Sequence, residues 1–184
     1  GHSEHRGTKQ FFQPDDTIFT ELVYNYDTLA NRLRELSYLN KGITITITDE
    51  REKLEDGTFK TETFHSQGGL KEFVEYIDGN RESIMEHVIF MEGERDDIPV
   101  EVAMRYNTSF NENLHSYVNN INTHEGGTHL AGFRRALTRT LKKYADELGL
   151  PAKEKVEVTG DDFREGLTAI ISVKVMEPQF EGQT

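Results

Sequence analysis

Residues 126–151 read GGTHLAGFRRALTRTLKKYADELGLP. Their apolar side chains recur at steps of three and four residues, which places them on one side of an α-helix. That side consists of Leu130, Phe133, Leu137, Leu141, Tyr144 and Leu148. Thr128 is the predicted N-cap, and Gly149 with Pro151 ends the helix. The sequence therefore predicts one long amphipathic helix, the longest in the chain.

Strand patterns flank this helix on both sides. They fall at residues 88–91, 98–104 and 167–175. The first two are separated by a charged, turn-like stretch at 92–97, and Pro178 closes the third. Residues 107–122 are polar and aromatic, which indicates a loop leading into a further strand. Residues 162–165 have capping-box spacing and predict one short helical turn.

The first part of the chain predicts a helix followed by a β-hairpin. Asp27 is the predicted N-cap of this helix, and Gly42 suits the left-handed position after its end. The apolar face of the helix consists of Leu29, Leu33, Leu36 and Leu39. Ile43, Ile45 and Ile47 then alternate with threonines, which is typical of a strand. Asp56-Gly57 fits a hairpin turn, and residues 58–65 form the predicted returning strand.

Two further features complete this organisation. Phe11 and Phe12 suggest a strand that ends at the turn-forming residues 13–16. Gln67-Gly68-Gly69 breaks the strand pattern, so we expect a domain boundary there, between residues 1–66 and residues 67–184. A short amphipathic helix follows with Leu70, Phe73, Val74 and Ile77 on its apolar side. The mixed order of helices and strands predicts an α/β or α+β fold.

The composition is that of a packed protein without cysteine chemistry. Hydrophobic residues make up 35% and charged residues 29% of the 184 residues, which is enough apolar material for a core. Because the chain has no Cys, it offers no disulfide, no thiolate metal site and no cysteine nucleophile. It shows no signal peptide and no apolar run near the roughly 18 residues that span a bilayer. We therefore expect a cytoplasmic protein without a membrane partner.

Several patterns resemble catalytic motifs without fitting them. His124 and His129 are five residues apart, whereas the zinc-protease motif needs a spacing of four to place both rings on one helix face. We therefore predict no metal site here and interpret the two glycines between them as a tight turn. Asp161, Asp162 and Glu165 are interpreted as helix-capping residues in preference to an acid/base cluster. Glycine-rich phosphate loops and nucleophile elbows are absent, so no catalytic residue is predicted.

One local charge pattern stands out against the net charge of −12. Basic residues are concentrated on the long helix, namely Arg134, Arg135, Arg139, Lys142 and Lys143. Residues 130–144 contain no acidic residue. Two interpretations stay open: a solvated side whose positive charges favour the C-terminal end of the helix, or a stripe that faces phosphates.

Three stretches carry a resemblance to a known family. They are YVNNINTHEGGTH at residues 117–129, continuing through GFR at 132–134 and LTRT at 137–140; GDDFREGL at 160–167; and EPQFEGQT at 177–184. These resemble the transducer domain of the bacterial gyrase B family. Upstream, residues 7–8, 12–15, 32–36 and 39–40 are similar to the end of the ATP-binding domain of the same family. The residues GFRRALTRT at 132–140 and QFEGQT at 179–184 are more similar to gyrase than to its relative topoisomerase IV.

The resemblance implies a fold, an activity and partners. The fold would be the C-terminal remnant of a GHKL-type ATPase sandwich followed by a ribosomal-protein-like transducer domain. The activity would be ATP-dependent negative supercoiling, with ATP and Mg²⁺ as cofactors of the full subunit. The partners would be double-stranded DNA, the gyrase A protein and a second copy of gyrase B, in the bacterial cytoplasm at the nucleoid.

The resemblance also assigns roles to individual residues. Thr8 matches the threonine at the adenine end of the nucleotide pocket, and Gln183 matches the glutamine that reaches the γ-phosphate. Arg134 matches a basic residue facing the cavity through which DNA passes. By helical spacing we group Arg135, Arg139 and Lys142 with it as DNA-facing residues.

The family's catalytic glutamate, magnesium-binding asparagine, adenine-reading aspartate and ATP lid have no counterpart in this chain. The lysine that follows the Gln-Thr pair in the family has none either. We therefore expect a fragment that binds no cofactor by itself and hydrolyses no ATP. A different class of function stays open, namely a stand-alone nucleic-acid-binding or structural coupling module of the same fold.

Overall fold

The computed structural model describes residue 8, residues 10–149 and residues 158–180. In this part of the chain, seven strands form two sheets, and three α-helices pack against them. The helices are α1 (Tyr26–Leu39), α2 (Leu70–Asp78) and α3 (Thr128–Glu147). The strands are β1 (Thr44–Lys53), β2 (Phe59–His65), β3 (Ile89–Arg95), β4 (Ile98–Tyr106), β5 (Asn113–Val118), β6 (Ile121–Asn122) and β7 (Leu167–Val173). No helix in this described part is long and apolar enough to cross a membrane.

The larger sheet has the strand order β3-β4-β7-β5-β6. β5 and β7 run parallel, and the other neighbouring strands run antiparallel. β7 lies at the centre and all of its residues are buried, because helices cover both faces of the sheet. The predicted strand at 167–175 is confirmed and ends two residues early, at Val173. The mixed α/β class is confirmed as well.

Each face of the larger sheet packs against a different helix. α3 covers one face, where Leu130 and Leu137 pack against Leu167, Ala169 and Ile171. α2 covers the other face together with the last residue of α1. That second core consists of Leu39, Leu70, Phe73, Val74, Ala103, Tyr117 and Ile170. The predicted apolar side of α2 is confirmed, since Leu70, Phe73 and Val74 are buried.

The smaller sheet is the predicted hairpin of β1 and β2, with a turn at Asp56-Gly57. α1 covers one of its faces, where Tyr26 and Ala30 pack against Phe64. The other face carries threonine pairs: the hydroxyls of Thr46 and Thr63 are 2.9 Å apart, and those of Thr48 and Thr61 are 3.0 Å apart. Alternation of isoleucine and threonine therefore separates a packed face from an exposed one.

Three predictions for the first part of the chain are wrong. Residues 10–25 form no strand, and Phe11 is 93% exposed, because no described strand lies alongside to pair with this segment. The N-cap of α1 is Asn25, whose Oδ1 accepts from the N–H of Thr28, so the helix begins before Asp27. Leu29 is 41% exposed, because the hairpin contacts the side of α1 that carries Tyr26 and Ala30.

The second part differs from prediction at its turns. β3 continues to Arg95, so the turn is only Asp96-Asp97, and both residues have positive φ. The expected loop at 107–122 contains β5 and β6, joined by a second turn of the same kind at Asn119-Asn120. Positive φ at both central residues matches the right-handed twist of the flanking strands. These two hairpins are tight although their turns contain no glycine.

Two capping predictions also need correction. Gly127, with φ of 151°, is the N-cap of α3, so Thr128 is the first helical residue. The reciprocal capping pair near residue 162 is Thr159 with Asp162: the N–H of Thr159 donates to the Asp162 carboxylate at 2.7 Å. The short turn itself, a 3₁₀ turn at Asp162–Arg164, is confirmed.

Gly166 is required by a close backbone approach just before β7. Its φ is +71°, and a Cβ at this position would lie 2.3 Å from the carbonyl oxygen of Asn107. The N–H of Asn107 donates to the Gly166 carbonyl at 2.8 Å. Only glycine allows this contact, which fixes the end of β4 against the start of β7.

Candidate functional site

The basic side of α3 points away from the sheet. Arg135, Arg139, Lys142 and Lys143 are all exposed, on the side of the helix opposite Leu130 and Leu137. Lys143 lies 3.7 Å from Glu147, whereas Arg135, Arg139 and Lys142 form no ion pair with any described residue. Their three- and four-residue spacing gives a row of positive charge that a polyanion can reach.

Arg134 is held apart from this row. It lies at the edge of the packed side of α3 and forms an ion pair with Glu112, which is in the loop before β5. Glu112 also accepts from Nε of Arg164 at 2.9 Å. Arg164 in turn pairs with Asp161 and donates to the Gly160 carbonyl at 2.8 Å. Arg134 therefore joins a network between α3 and the 3₁₀ turn, and the structure does not place it with the other predicted DNA-facing residues.

Asp161 and Asp162 both have partners within the same turn. Asp162 accepts from the N–H and the hydroxyl of Thr159, and these two bonds hold the pKa of Asp162 below its usual value. A carboxylate held in its charged form by local hydrogen bonds is a capping group. This geometry supports the capping interpretation for Asp162, whereas the carboxylate of Asp161 pairs with Arg164 and makes no capping bond.

The two predicted nucleotide contacts differ in what the structure says of them. Thr8 is among the described residues and is exposed. Gln183 lies outside the described residues. The structure therefore does not test either role, and both stay predictions.

The turn between His124 and His129 has the geometry that its glycines predict. Gly126 and Gly127 have φ of 85° and 151°, which interrupts any helix between the two histidines. Nε2 of His129 lies 3.0 Å from the hydroxyl of Thr123, and that hydroxyl donates to the Ser116 carbonyl. The tautomer of His129 decides which group donates in its contact with Thr123, and burial lowers the pKa of His129. The part of the chain that the structure describes has no cluster of three or more His, Asp or Glu that could hold a metal ion.

A contact that the sequence did not predict joins the two parts of the chain at the β5–β6 turn. The carbonyl of Asn120 accepts from Nη2 of Arg32 in α1 at 2.7 Å. The side-chain amide of Asn120 donates to Oδ1 of Asn40, directly after α1, at 2.9 Å. Its oxygen accepts from Nζ of Lys174, directly after β7. One residue of the turn thus contacts both α1 and the segment after the central strand.

The neighbouring residue Asn119 holds that same segment, residues 174–180, which we call the tail segment. The side chain of Asn119 donates to the carbonyl of Val175 and accepts from its N–H, both at 2.8 Å. The tail segment borders a cleft of about 710 Å³ at the start of α3, lined by Val118, Val173, His129 and Phe180 among others. The signal for this site was Asn119-Asn120 between two apolar residues, since asparagine tolerates positive φ.

Comparisons with known proteins agree on one family. The family model for DNA gyrase B matches residues 69–184. The DNA gyrase B protein of Cytophaga aurantiaca is 67% identical over all 184 residues, and the protein of the same name from Cytophaga hutchinsonii is 65% identical. The chain spans 38% of the length of these relatives.

Two solved structures also match most of this chain. The 43K ATPase domain of Thermus thermophilus gyrase B, solved in complex with an aminocoumarin, matches with a TM-score of 0.78 at 34% identity. The match covers 92% of this chain and 44% of that one. The topoisomerase IV ATP-binding domain of Francisella tularensis matches with a TM-score of 0.72 at 26% identity, over 93% of this chain and 44% of that one. Because the family model covers more than half of the residues and gyrase B relatives match over the whole length, the chain belongs to the DNA gyrase B family.

Proposed function

We propose that this chain is the part of a gyrase B protein that couples ATP binding and hydrolysis to DNA strand passage and negative supercoiling. The observation that carries the proposal is the 67% identity to a DNA gyrase B protein over every residue of the chain. Residues 1–66 are the end of the ATP-binding domain, and residues 67–184 are the transducer domain. The start of the family match at residue 69 supports this boundary.

The geometry of α1 supports a coupling role. Its first half packs on the hairpin through Tyr26 and Ala30, and its last residue, Leu39, belongs to the core of the larger sheet. A helix that packs on both sides of the boundary carries displacements from one domain to the other, because packed interfaces do not deform continuously. The apolar side chains of residues 10–25, such as Phe11 and Ile18, are exposed. We propose that the rest of the ATP-binding domain covers them.

The nucleotide contacts are Thr8 at the adenine and Gln183 at the γ-phosphate. An amide that binds the γ-phosphate loses its partner when phosphate leaves, so its contact differs between the two nucleotide states. The described residues offer no magnesium-binding cluster, and the sequence has no phosphate-binding glycine loop. Hydrolysis therefore depends on residues that this chain does not supply, and the chain alone has no ATPase activity.

DNA would contact the basic side of α3 through Arg135, Arg139 and Lys142, with Arg134 at its margin. Contacts to phosphates carry no sequence information, which suits an enzyme that passes any duplex. The full-length protein would act in the bacterial cytoplasm at the nucleoid, with the gyrase A protein and a second copy of gyrase B.

The test is a supercoiling assay with the full-length protein, gyrase A, relaxed plasmid, ATP and Mg²⁺. We expect ATP-dependent negative supercoiling by the wild type and its loss in Gln183→Ala. Gln67→Ala, which changes an exposed glutamine, is the matched control and retains activity. Absence of supercoiling by the wild type would contradict the function, and full activity of Gln183→Ala would contradict the role of Gln183.

A second measurement separates this function from a stand-alone nucleic-acid-binding module. Such a module binds duplex DNA alone at ~150 mM salt with a steep salt dependence. The coupling part of a gyrase, with a net charge of −12, binds only weakly by itself.

A further inference from the structure

We propose that Asn120 is a positioning residue that links α1 of the ATP-binding part to the tail segment, and so sets where that segment lies. The inference rests on the proposed function, because it assigns a role within nucleotide coupling. Asn120 contacts α1 and the residue after it on one side, and the tail segment on the other.

The contact on the side of α1 has a fixed orientation. The Asn40 side-chain amide donates to the carbonyl of Leu36 in the last turn of α1 at 2.8 Å, which leaves Oδ1 of Asn40 facing Asn120. Arg32 adds the second contact, from Nη2 to the Asn120 carbonyl at 2.7 Å. One group within α1 and one directly after it therefore hold both the backbone and the side chain of a single turn residue.

The contact on the tail side follows from hydrogen-bond chemistry. The ammonium group of Lys174 only donates, so it faces Oδ1 of Asn120, and the amide of Asn120 is then free for Asn40. Every group in the series from the Leu36 carbonyl to Lys174 thus has one consistent role. If α1 moves, either Lys174 moves with it or one of the hydrogen bonds in this series breaks.

The tail segment depends on this turn for its place. β7 ends at Val173, and beyond it Val175 is held by the side chain of Asn119, the partner of Asn120 in the turn. The N–H of Lys174 donates to the Pro99 carbonyl at 3.1 Å. The other side of the segment borders the cleft of about 710 Å³. The Asn119-Asn120 turn therefore holds the chain directly after β7, at Lys174 and Val175.

The test in the chain itself is amide hydrogen exchange at Val175 in a double-mutant cycle. Asn120→Gly removes the side chain and keeps the positive φ of 66° accessible. Asn40→Ala removes the contact from α1. We expect each substitution alone to raise the exchange rate at Val175 by about tenfold. The double variant should exchange no faster than either single variant. Effects that multiply, or exchange that stays unchanged, would overturn the inference.

The matched control is Asp97→Gly, which makes the same kind of change at the second position of the other glycine-free turn. It leaves exchange at Val175 unchanged. If it raised exchange equally, the effect of Asn120→Gly would reflect general loosening of the sheet and the inference would fall.

The functional test uses ATP turnover by the full-length protein. A positioning residue that acts after nucleotide binding lowers kcat and leaves KM for ATP unchanged, and we expect Asn120→Gly to do so by about tenfold. Unchanged kcat would overturn the positioning role. If the wild type showed no ATP turnover, the proposed function would fail, while the exchange result would still stand or fall by itself.

Discussion

The side chain of Asn119 pairs with the backbone of Val175 as a further strand residue would, accepting from its N–H and donating to its carbonyl at 2.8 Å. The backbone N–H of Asn119 also donates to the Val173 carbonyl at 2.9 Å. The parallel pairing of β5 with β7 is thereby continued past the end of both strands by one side chain. The chain after the central strand leaves the sheet in a defined direction for this reason.

Removing this side chain should destabilise the protein by a modest amount. Asn119→Gly loses both bonds to Val175 without backbone strain, since Asn119 has φ of 50°. We expect a loss of about 1–3 kcal/mol in the free energy of unfolding, measured by urea denaturation. Asn119→Ala should lose about 1 kcal/mol more, because a Cβ without a polar group disfavours positive φ. Equal stability of the two variants would contradict the role of the backbone conformation.

A second prediction concerns Asp78, which is 1% exposed at the end of α2. Its carboxylate accepts from Nε and Nη2 of Arg105, both at 2.8 Å, and from Asn107 at 2.8 Å and Thr168 at 2.6 Å. Asp78→Ala leaves the guanidinium of Arg105 nearly buried without its partner. We expect a loss of about 3–5 kcal/mol in the free energy of unfolding, measured by urea denaturation.

The control for this pair is the double substitution Asp78→Leu with Arg105→Met. Because it removes both charges together, it should cost less than the sum of the single substitutions. Arg95→Ala, at an exposed pair with Asp96, should change stability by less than about 0.5 kcal/mol. Additive effects of Asp78→Leu and Arg105→Met would show that the two side chains do not act as a pair.

Two histidines predict how stability depends on pH. Burial lowers the pKa of His115, and His124 adds to this while Glu35 opposes it; burial also lowers the pKa of His129. The unfolded chain therefore binds protons at these residues first as the pH falls below about 7. The free energy of unfolding should decrease as the pH falls through about 6.5 toward 5.5.

The measurement is urea denaturation at several pH values between about 5.5 and 7.5. The double variant His115→Gln, His129→Gln should lose most of the slope in this window. His87→Gln, at an exposed histidine, is the matched control and should keep it. A double variant with the wild-type slope would show that these two side chains do not cause the pH dependence.

The sequence was sufficient to predict the helices and strands whose apolar residues follow a long, regular pattern. Alternating Ile43, Ile45 and Ile47 predicted β1, and the apolar steps from Leu130 to Leu141 predicted α3, because each pattern has the period of one structure only. The predicted apolar side of α3 extended too far, since Tyr144 and Leu148 are 60% and 47% exposed. Element ends were less accurate, since Asn25 and Asp27 are both good caps and local preference does not choose between them. The fold class followed from the mixed order of helices and strands, and the family followed from the stretches at residues 117–140, 160–167 and 177–184.

The tertiary polar contacts could not be predicted in this way. Asp78 has the character of a surface residue at a helix end, and its partners lie 27 to 90 positions away along the chain. The same holds for Asn120, whose contact with Asn40 spans 80 positions. Arg134 was assigned to DNA by resemblance, and helical spacing does not reveal its ion pair with Glu112 at the edge of α3. Partners brought together by the sheet have no signature in local periodicity.

The turn at Asp96-Asp97 offers a stabilising substitution. Both residues have positive φ, 53° and 61°, where glycine is favoured over residues with a Cβ. Asp97→Gly should raise the free energy of unfolding by about 0.5 kcal/mol, measured by urea denaturation. Asp97→Ala removes the same charge and should instead lower it. If both variants changed stability in the same direction, charge would be the cause and backbone conformation would not.

The last prediction concerns the exposed row on α3. Arg135→Gln, Arg139→Gln and Lys142→Gln together remove three positive charges that no described carboxylate neutralises. Glutamine has nearly the helix propensity of these residues, so the helix should be retained. The slope of log affinity against log salt concentration is negative, and each lost phosphate contact reduces its magnitude by about 0.9. DNA binding by the full-length protein should therefore weaken, with a slope reduced by up to about 2.7, measured by fluorescence anisotropy over a salt series.

Lys41→Gln, Lys71→Gln and Arg95→Gln remove the same charge elsewhere and should leave the slope nearly unchanged. An equal reduction in both triple variants would mean that net charge, and not the position of the row on α3, governs binding.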